Sequence, residues 1–189
     1  MSMTRKTTTT ARVRTRLAVL TAAMIAAPAV AAVPAAAATA PESMPDCTVS
    51  DFEIVETDRR AAAGTAYIEF TMARNGEGET PAEEPCHLYR YANLIWVDDQ
   101  GELVGAWAER EGGSGSYTVE PDGTVLLTVA QPNPANYDPE LCEPTAVSGL
   151  AVSLYIAEEP VVVPTGGHDT ACANAEVAVP RYTIEPGGS

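Results

Sequence analysis

The sequence predicts an all-β protein: a two-layer antiparallel, immunoglobulin-like β-sandwich of seven or eight strands closed by two disulfides. Three observations lead there. Past residue 40 the apolar residues recur with a period of two, and no stretch sustains the 3.6-residue period of a helix. Clusters of Gly, Pro, Asn and Asp cut the chain into short runs at the spacing of a sandwich. Four cysteines, Cys47, Cys86, Cys142 and Cys172, all lie in that part of the chain, an even count that suits paired bridges.

The elements follow in order. In "VSDFEIVET", Phe52, Ile54 and Val55 alternate with acids. In "GTAYIEFTMARN", Ala66, Ile68, Phe70 and Met72 share one face and Tyr67, Glu69, Thr71 and Ala73 the other, the signature of a half-buried strand. "NGEG" ends it, and Pro81 and Pro85 flank a loop. Cys86, Leu88, Ala92, Leu94 and Trp96 then share one parity, and His87, Tyr89, Tyr91, Ile95 and Val97 share the other. "DDQG" supplies a turn at 98–101, and "ELVGAWAER" is expected to return as the second strand of a hairpin, with Leu103, Gly105 and Trp107 on one side. "YTVEPDGTVLLTVA" reads as a further hairpin, with Pro121, Asp122 and Gly123 in a type I turn between Val119 and Val125. "QPNPANYDPELCEP" is a Pro-rich excursion without a period. "GLAVSLYIA" and "PVVVP" are apolar strands, and "AEVAVPRYTIEP" is a last pair, or one strand interrupted at Pro180 as at an edge or a bulge.

Residues 1–40 have the layout of a secretory signal peptide. Arg5, Lys6, Arg12, Arg14 and Arg16 precede an apolar run from Leu17, and small residues follow. Cleavage is placed after Ala38, where Ala36 and Ala38 meet the small-x-small rule. The alternative, an uncleaved anchor, is a poor span because the run is Ala-rich and carries Pro28 and Pro34. Thr15 separates Arg14 from Arg16, so there is no twin-arginine signal, and "SMPD" before Cys47 is not a lipoprotein box. The expected organisation is a leader at 1–40, a short linker at 41–46, a sandwich at 47–186 and a tail at 187–189. The expected location is extracellular, with no membrane insertion after the leader is removed.

The leader carries five of the eleven basic residues and none of the 26 acidic ones. The remainder has six Arg, no Lys and a formal net charge of −20. Such a surface repels nucleic acid and anionic lipid. It suits solubility outside the cell, or a basic partner or cation. The roughly 150 residues past the leader fit one domain.

Three pairings of the four cysteines are open on count alone. Zinc is the rival reading, but no C-x-x-C pair occurs and the spacings are 39, 56 and 30. Topology points to Cys47–Cys86, tying the first strand to the Trp96 strand pair, and to Cys142–Cys172, flanking the apolar strands between them. No metal and no cofactor is expected.

Candidate chemistry is sparse. His87 follows Cys86, but neighbours on a strand point to opposite faces and a bridged cysteine is no nucleophile. His168 stands beside Asp169 in the loop "PTGGHDT", yet no Gly-x-Ser-x-Gly elbow accompanies it. "DDQGE" lacks the alternating ligands of a calcium loop and reads as a turn. The acidic pairs Glu83-Glu84, Glu109-Glu111 and Glu158-Glu159 read as solvated loop charges. Trp96 shares parity with Leu88 and Leu94 and is expected between the sheets. Tyr89 and Tyr91, on the opposite parity, and Tyr137, in the Pro-rich excursion, are the candidate partner contacts.

"PCHLYRYANLIWVDDQGELVG" is similar to the pattern Pro-Cys-x-Leu-x-Gly-Tyr-Pro-x-Val-x-Leu-x-Asp-x-x-Gly of the domain of unknown function 4232, found in exported actinobacterial proteins and lipoproteins. Pro85, Cys86, Leu88, Tyr91, Leu94, Trp96, Asp98 and Gly101 carry the likeness. Arg110 resembles that family's Arg one strand later, "VEPDGTVLLTV" its Pro-Gly turn, Cys142-Glu143-Pro144 its Cys-x-Pro and "SGLAVSLY" the strand after it. Cys47 and Cys172 stand where it has its first and last Cys. The likeness runs from Cys47 to Val179. It departs at Arg90-Tyr91-Ala92, in place of Gly-Tyr-Pro at a backbone bend, and "RYTIEP" stands as an extra. The resemblance implies a β-sandwich and an actinobacterial source, and no activity or catalytic residue.

The functional expectation is a secreted, non-enzymatic sandwich that binds a protein or small-molecule partner at the cell exterior. A small-molecule or cation carrier is the alternative. A hydrolase is the disfavoured third.

Overall fold

The computed structural model describes residues 43–155 and 157–187, without the side chain of His168. The expected leader and its cleavage point, the first two linker residues and the last two tail residues lie outside the described residues. Among the described residues eleven strands, numbered in chain order, form three sheets. The largest runs β1 (Phe52–Ala62), β2 (Thr65–Arg74), β8 (Thr124–Pro132), β11 (Arg181–Pro186) and β6 (Glu109–Arg110). The second runs β10 (Val161–Cys172), β9 (Pro144–Ser153), β4 (Asn93–Val97) and β5 (Leu103–Val104). A small pair joins β3 (Cys86–Tyr89) to β7 (Ser116–Val119). Among the described residues no helix is long and apolar enough to cross a membrane.

The two larger sheets pack face to face as the expected immunoglobulin-like sandwich. Ile68, Phe70 and Met72 of β2 and Val125, Leu127 and Val129 of β8 are fully buried. They share one core with Leu94 and Trp96 of β4 and Leu150 and Val152 of β9. The period-two pattern reads through directly in β2 and β8, where buried residues alternate with half-exposed ones. In β4 and β9 the other face is covered as well, and Ile95, Val97 and Ala151 form a second small buried cluster. The strand count exceeds seven or eight because of short pieces. "ELVGAWAER" is not one returning strand but two residues of β5 and, in the other sheet, two of β6. Val104 is the residue that turns inward, opposite Trp96, whereas Leu103 and Trp107 are more than half exposed. The chain leaves β5 at Gly105 with φ of +77°, where a Cβ would stand 2.4 Å from the Cys172 carbonyl oxygen. Only glycine accepts both conditions.

Three further expectations are corrected. The turn at Pro121–Gly123 forms, with Gly123 N–H donating to the Glu120 carbonyl at 2.8 Å, but it is a corner and not a hairpin. β7 pairs with β3, while β8 pairs with β2 and β11. "AEVAV" is a turn, and "RYTIEP" is not an edge but β11, antiparallel to β8 and parallel to β6. The Pro-rich excursion is ordered by two Asx turns: Asn133 Oδ1 accepts from Ala135 N–H and Asp138 Oδ1 from Glu140 N–H. These start a 3-10 turn (Pro134–Asn136) and a helical turn (Pro139–Cys142). The end of the linker also leaves no loose tether, since His87 N–H donates to the Pro45 carbonyl at 2.8 Å.

Both disulfides form as topology pointed, Cys47–Cys86 and Cys142–Cys172. A buried carboxylate sets up the first. Asp51 accepts from the backbone N–H and the hydroxyl of both Thr48 and Thr80, fastening the segment after Cys47 to the loop before Cys86. At the other end of the sandwich, Arg59 of β1 joins its two edges. It donates to Glu56 on its own strand and to both carboxylate oxygens of Asp169 on β10. Glu56 also accepts Gly166 N–H at 2.7 Å. The Arg59 hydrogen bonds hold the Glu56 carboxyl below its ordinary value of 4.5, against burial, which raises it.

Each closed loop, of 39 and 30 residues' separation, contributes ~3–4 kcal/mol in the chain-entropy account. Reduction is therefore expected to lower the melting temperature by well over 10 °C. Thermal melts with and without reductant check this, and non-reducing peptide mapping checks the pairing. The edge clamp makes a second prediction. A depressed carboxyl stabilises the fold fully above pH 4.5 and loses that contribution as pH falls through its lowered value. Urea melts from pH 7 to 3 should show Arg59→Gln less stable than the native chain at pH 7, with the gap closing below pH 4.5. A gap that does not vary with pH would contradict the assignment.

Candidate aromatic cleft

β3 and β4 are one run by parity but belong to different sheets, and the chain bends between them at residues 90–92. Inward parity persists across the bend: Leu88, Ala92, Leu94 and Trp96 are all buried. Tyr89 and Tyr91 are therefore turned out, 45% and 40% exposed. The bend is held from three sides. Ala92 N–H donates to the hydroxyl of buried Tyr182 on β11 at 2.9 Å. Arg90 N–H donates to the Gly115 carbonyl at 2.9 Å. Tyr91 donates through its hydroxyl to Asn93 Oδ1 at 2.9 Å. The departure from Gly-Tyr-Pro thus leaves a bend in place, made by hydrogen bonds and not by a proline ring.

Opposite stands the turn after β9. Glu158 takes the backbone N–H groups of Leu154 and Tyr155 on one carboxylate oxygen and that of Val49 on the other. It is a structural cap and not a solvated loop charge. Leu154 and Tyr155, Tyr89 and Tyr91, and residues 114–116 enclose an open cleft of about 640 Å³. Burial, then the Asp46 carboxylate, pushes the Tyr155 phenol up to about 12, so it is a neutral hydrogen-bonding group at physiological pH. Tyr89 packs edge-on against His87, centroids 4.8 Å apart.

Two cations complete the lining, Arg90 and Arg110, and among the described residues no carboxylate does. Arg90 lies 5.8 Å over the Tyr117 ring and 3.6 Å from Glu185. Arg110 has no carboxylate partner among the described residues; its Nη1 donates at 3.5 Å to the Arg90 carbonyl. β6 sorts these charges by alternation. Glu109 and Glu111, on either side of Arg110, line a different groove with Tyr67, Tyr137 and Glu176.

A protein-family model described as "Domain of unknown function (DUF4232)" matches residues 47–187. The chain belongs to this family. No curated protein and no solved structure matches it. The DUF4232 match extends past Val179 through β11, so "RYTIEP" is part of the family domain and not an extra.

Of the candidate contact residues in this DUF4232 domain, Tyr89 and Tyr91 come together in the cleft, and Tyr137, 37% exposed, does not. Trp96 is buried between the sheets, as parity indicated. His168 lies within β10, not in a loop, and Asp169 is engaged by Arg59. Among the described residues no group of three His, Cys, Asp or Glu is placed to hold a metal ion. Sequence reasoning passed over Tyr155, Tyr182 and the site role of Arg110. Only Arg110 left a local signal, the alternation Glu-Arg-Glu at 109–111.

Tyr182→Phe should strand the Ala92 N–H and cost ~1–3 kcal/mol of stability. Denaturant melts measure the loss. Amide exchange should quicken at residues 90–92 beyond the global change.

Proposed function

We propose that the exported chain is a non-enzymatic binding module of the cell exterior, and that it takes its ligand in the cleft between Tyr89, Tyr91 and Tyr155. The observation that carries this reading is the convergence of three tyrosines from two separate segments, the 89–91 bend and the turn after β9, on one open concavity. An aromatic face there adds contact area at low entropic cost, and each phenol retains a polar end. The position of the walls also supports it. Tyr182, Glu158 and the 115 carbonyl hold both sides of the bend and the facing turn, so the cleft is built before a ligand arrives.

A location outside the cell is supported by the leader pattern at 1–40 and by the two bridges, which persist in oxidising compartments. The non-enzymatic reading is supported by how the candidate groups are used: all four cysteines are bridged, and Asp169 is tied to Arg59. The cleft volume falls in the range that holds small molecules, which favours a small ligand over a cation.

A fragment screen by heteronuclear NMR on residues 41–189 tests the proposal. Ring-bearing fragments should shift resonances around Tyr89, Tyr91 and Tyr155. Tyr91→Ala and Tyr155→Ala should each weaken binding roughly two- to tenfold. Hits confined to the Tyr137 groove, or reproducible hydrolytic turnover lost in His168→Ala, would overturn it.

A further inference from the structure

The charge of the cleft runs against the charge of the chain. Past residue 40 acids outnumber arginines 26 to 6, yet among the described residues the cleft lining holds two arginines and no acid. Among the described residues, four of the six arginines are within 4.0 Å of a carboxylate: Arg59, Arg60, Arg90 and Arg181. Arg74 is occupied otherwise, donating to the carbonyls of Glu84 and Pro81 and lying against Cys86 Sγ. That leaves Arg110, whose single protein acceptor is a long bond to the Arg90 carbonyl. A guanidinium has five N–H donors in a fixed fork, so most of the donor capacity of Arg110 is uncommitted. In a chain so rich in carboxylates, a cation held without one beside an apolar, aromatic concavity is placed for an anion that the protein itself does not supply.

Two features narrow the class of ligand. Arg90 is already balanced by Glu185, so the lining has one uncompensated positive charge, which suits a monoanion. The rest of the lining includes Tyr89, Tyr91, Leu154 and Tyr155, which suit a flat, apolar body. We propose that the cleft binds a small organic monoanion, a ring-bearing body with one carboxylate, with Arg110 as the carboxylate receptor. This rests on the cleft being the binding site, as proposed above, and adds the chemistry of what it binds. The strongly negative remainder of the surface acts as a selectivity device. It repels polyanions, so a single charge on a compact apolar body is accepted where nucleic acid or an acidic polymer is not.

The test compares three probes of one shape on disulfide-intact residues 41–189: 2-naphthoate, its neutral amide 2-naphthamide, and the cation 2-naphthylmethylammonium. Affinities are read from chemical-shift titrations of the cleft resonances. Naphthoate should bind roughly tenfold or more tighter than the amide, the factor that one charge-assisted hydrogen bond supplies, and the cation should bind weakest. Arg110→Gln should abolish the difference between acid and amide and leave the amide within about twofold of its native affinity. Arg110→Lys should keep part of the preference, since it keeps the charge without the fork. Arg110 is exposed and outside every ion pair described, so both variants should fold, which far-UV circular dichroism confirms. An amide that binds as tightly as the acid, or an acid preference that survives Arg110→Gln, would overturn the monoanion inference and leave the cleft as the site. If no probe shifts the cleft, both readings fall together.

Discussion

Trp96 couples the two layers of this protein. Its indole N–H donates to Gln131 Oε1 on β8 while its ring is buried with Leu94, Leu150 and Val152 between the sheets. A buried indole without an acceptor is costly, so the ring and its partner must be set together. Gln131 in turn donates to the Pro132 carbonyl, which leaves neither end of the amide unpaired. Trp96 facing inward commits every second residue of β3 and β4. Cys86 then meets Cys47 beneath the surface, and Tyr89 and Tyr91 face out. The aromatic concavity is thus the outer consequence of a core requirement.

The fold manages an acidic chain with few cations by giving each arginine a post. Arg59 ties the free edges of the two sheets to one another at Glu56 and Asp169, where unpaired strand edges would otherwise invite association. Arg60 lies over Tyr67, and Arg90 over Tyr117. Glu158 and Asp51 spend their charge on backbone N–H groups, where an ionised acceptor makes a stronger bond than a neutral one. In that arrangement the sparse pairing of Arg110 stands out, and β6 shows how it is kept. Strand alternation sends Glu109 and Glu111 to one side and Arg110 to the other, so adjacent residues serve concavities of opposite character.

Much of the fold was legible in the sequence. The period of two in "GTAYIEFTMARN" marked Ile68, Phe70 and Met72 as the buried face of β2, with Ala66 only half-buried at its start, and parity alone placed Trp96 inside and Tyr89 and Tyr91 outside. Half of the cleft was legible for the same reason. The other half was not. Tyr155 sits just past an apolar strand, and Tyr182 lies in a segment that read as an edge. Nothing local marks either, because the first comes to face Tyr89 through the Glu158 cap and the second reaches Ala92 across 90 residues.

What the sequence determined by itself is what depends on neighbours along the chain: an all-β class, the turns at 98–101 and 120–123, the inward and outward faces, and a cysteine pairing that follows strand order. What only the tertiary structure decided is which strands are partners. "YTVEPDGTVLLTVA" has the turn of a hairpin, yet its arms join different sheets, and "ELVGAWAER" divides between the layers. Backbone period and turn chemistry are local properties, fixed within a few residues. Strand partnership is decided by which buried surfaces fit across the core, and the charge-sorted cleft exists only once that fit is made.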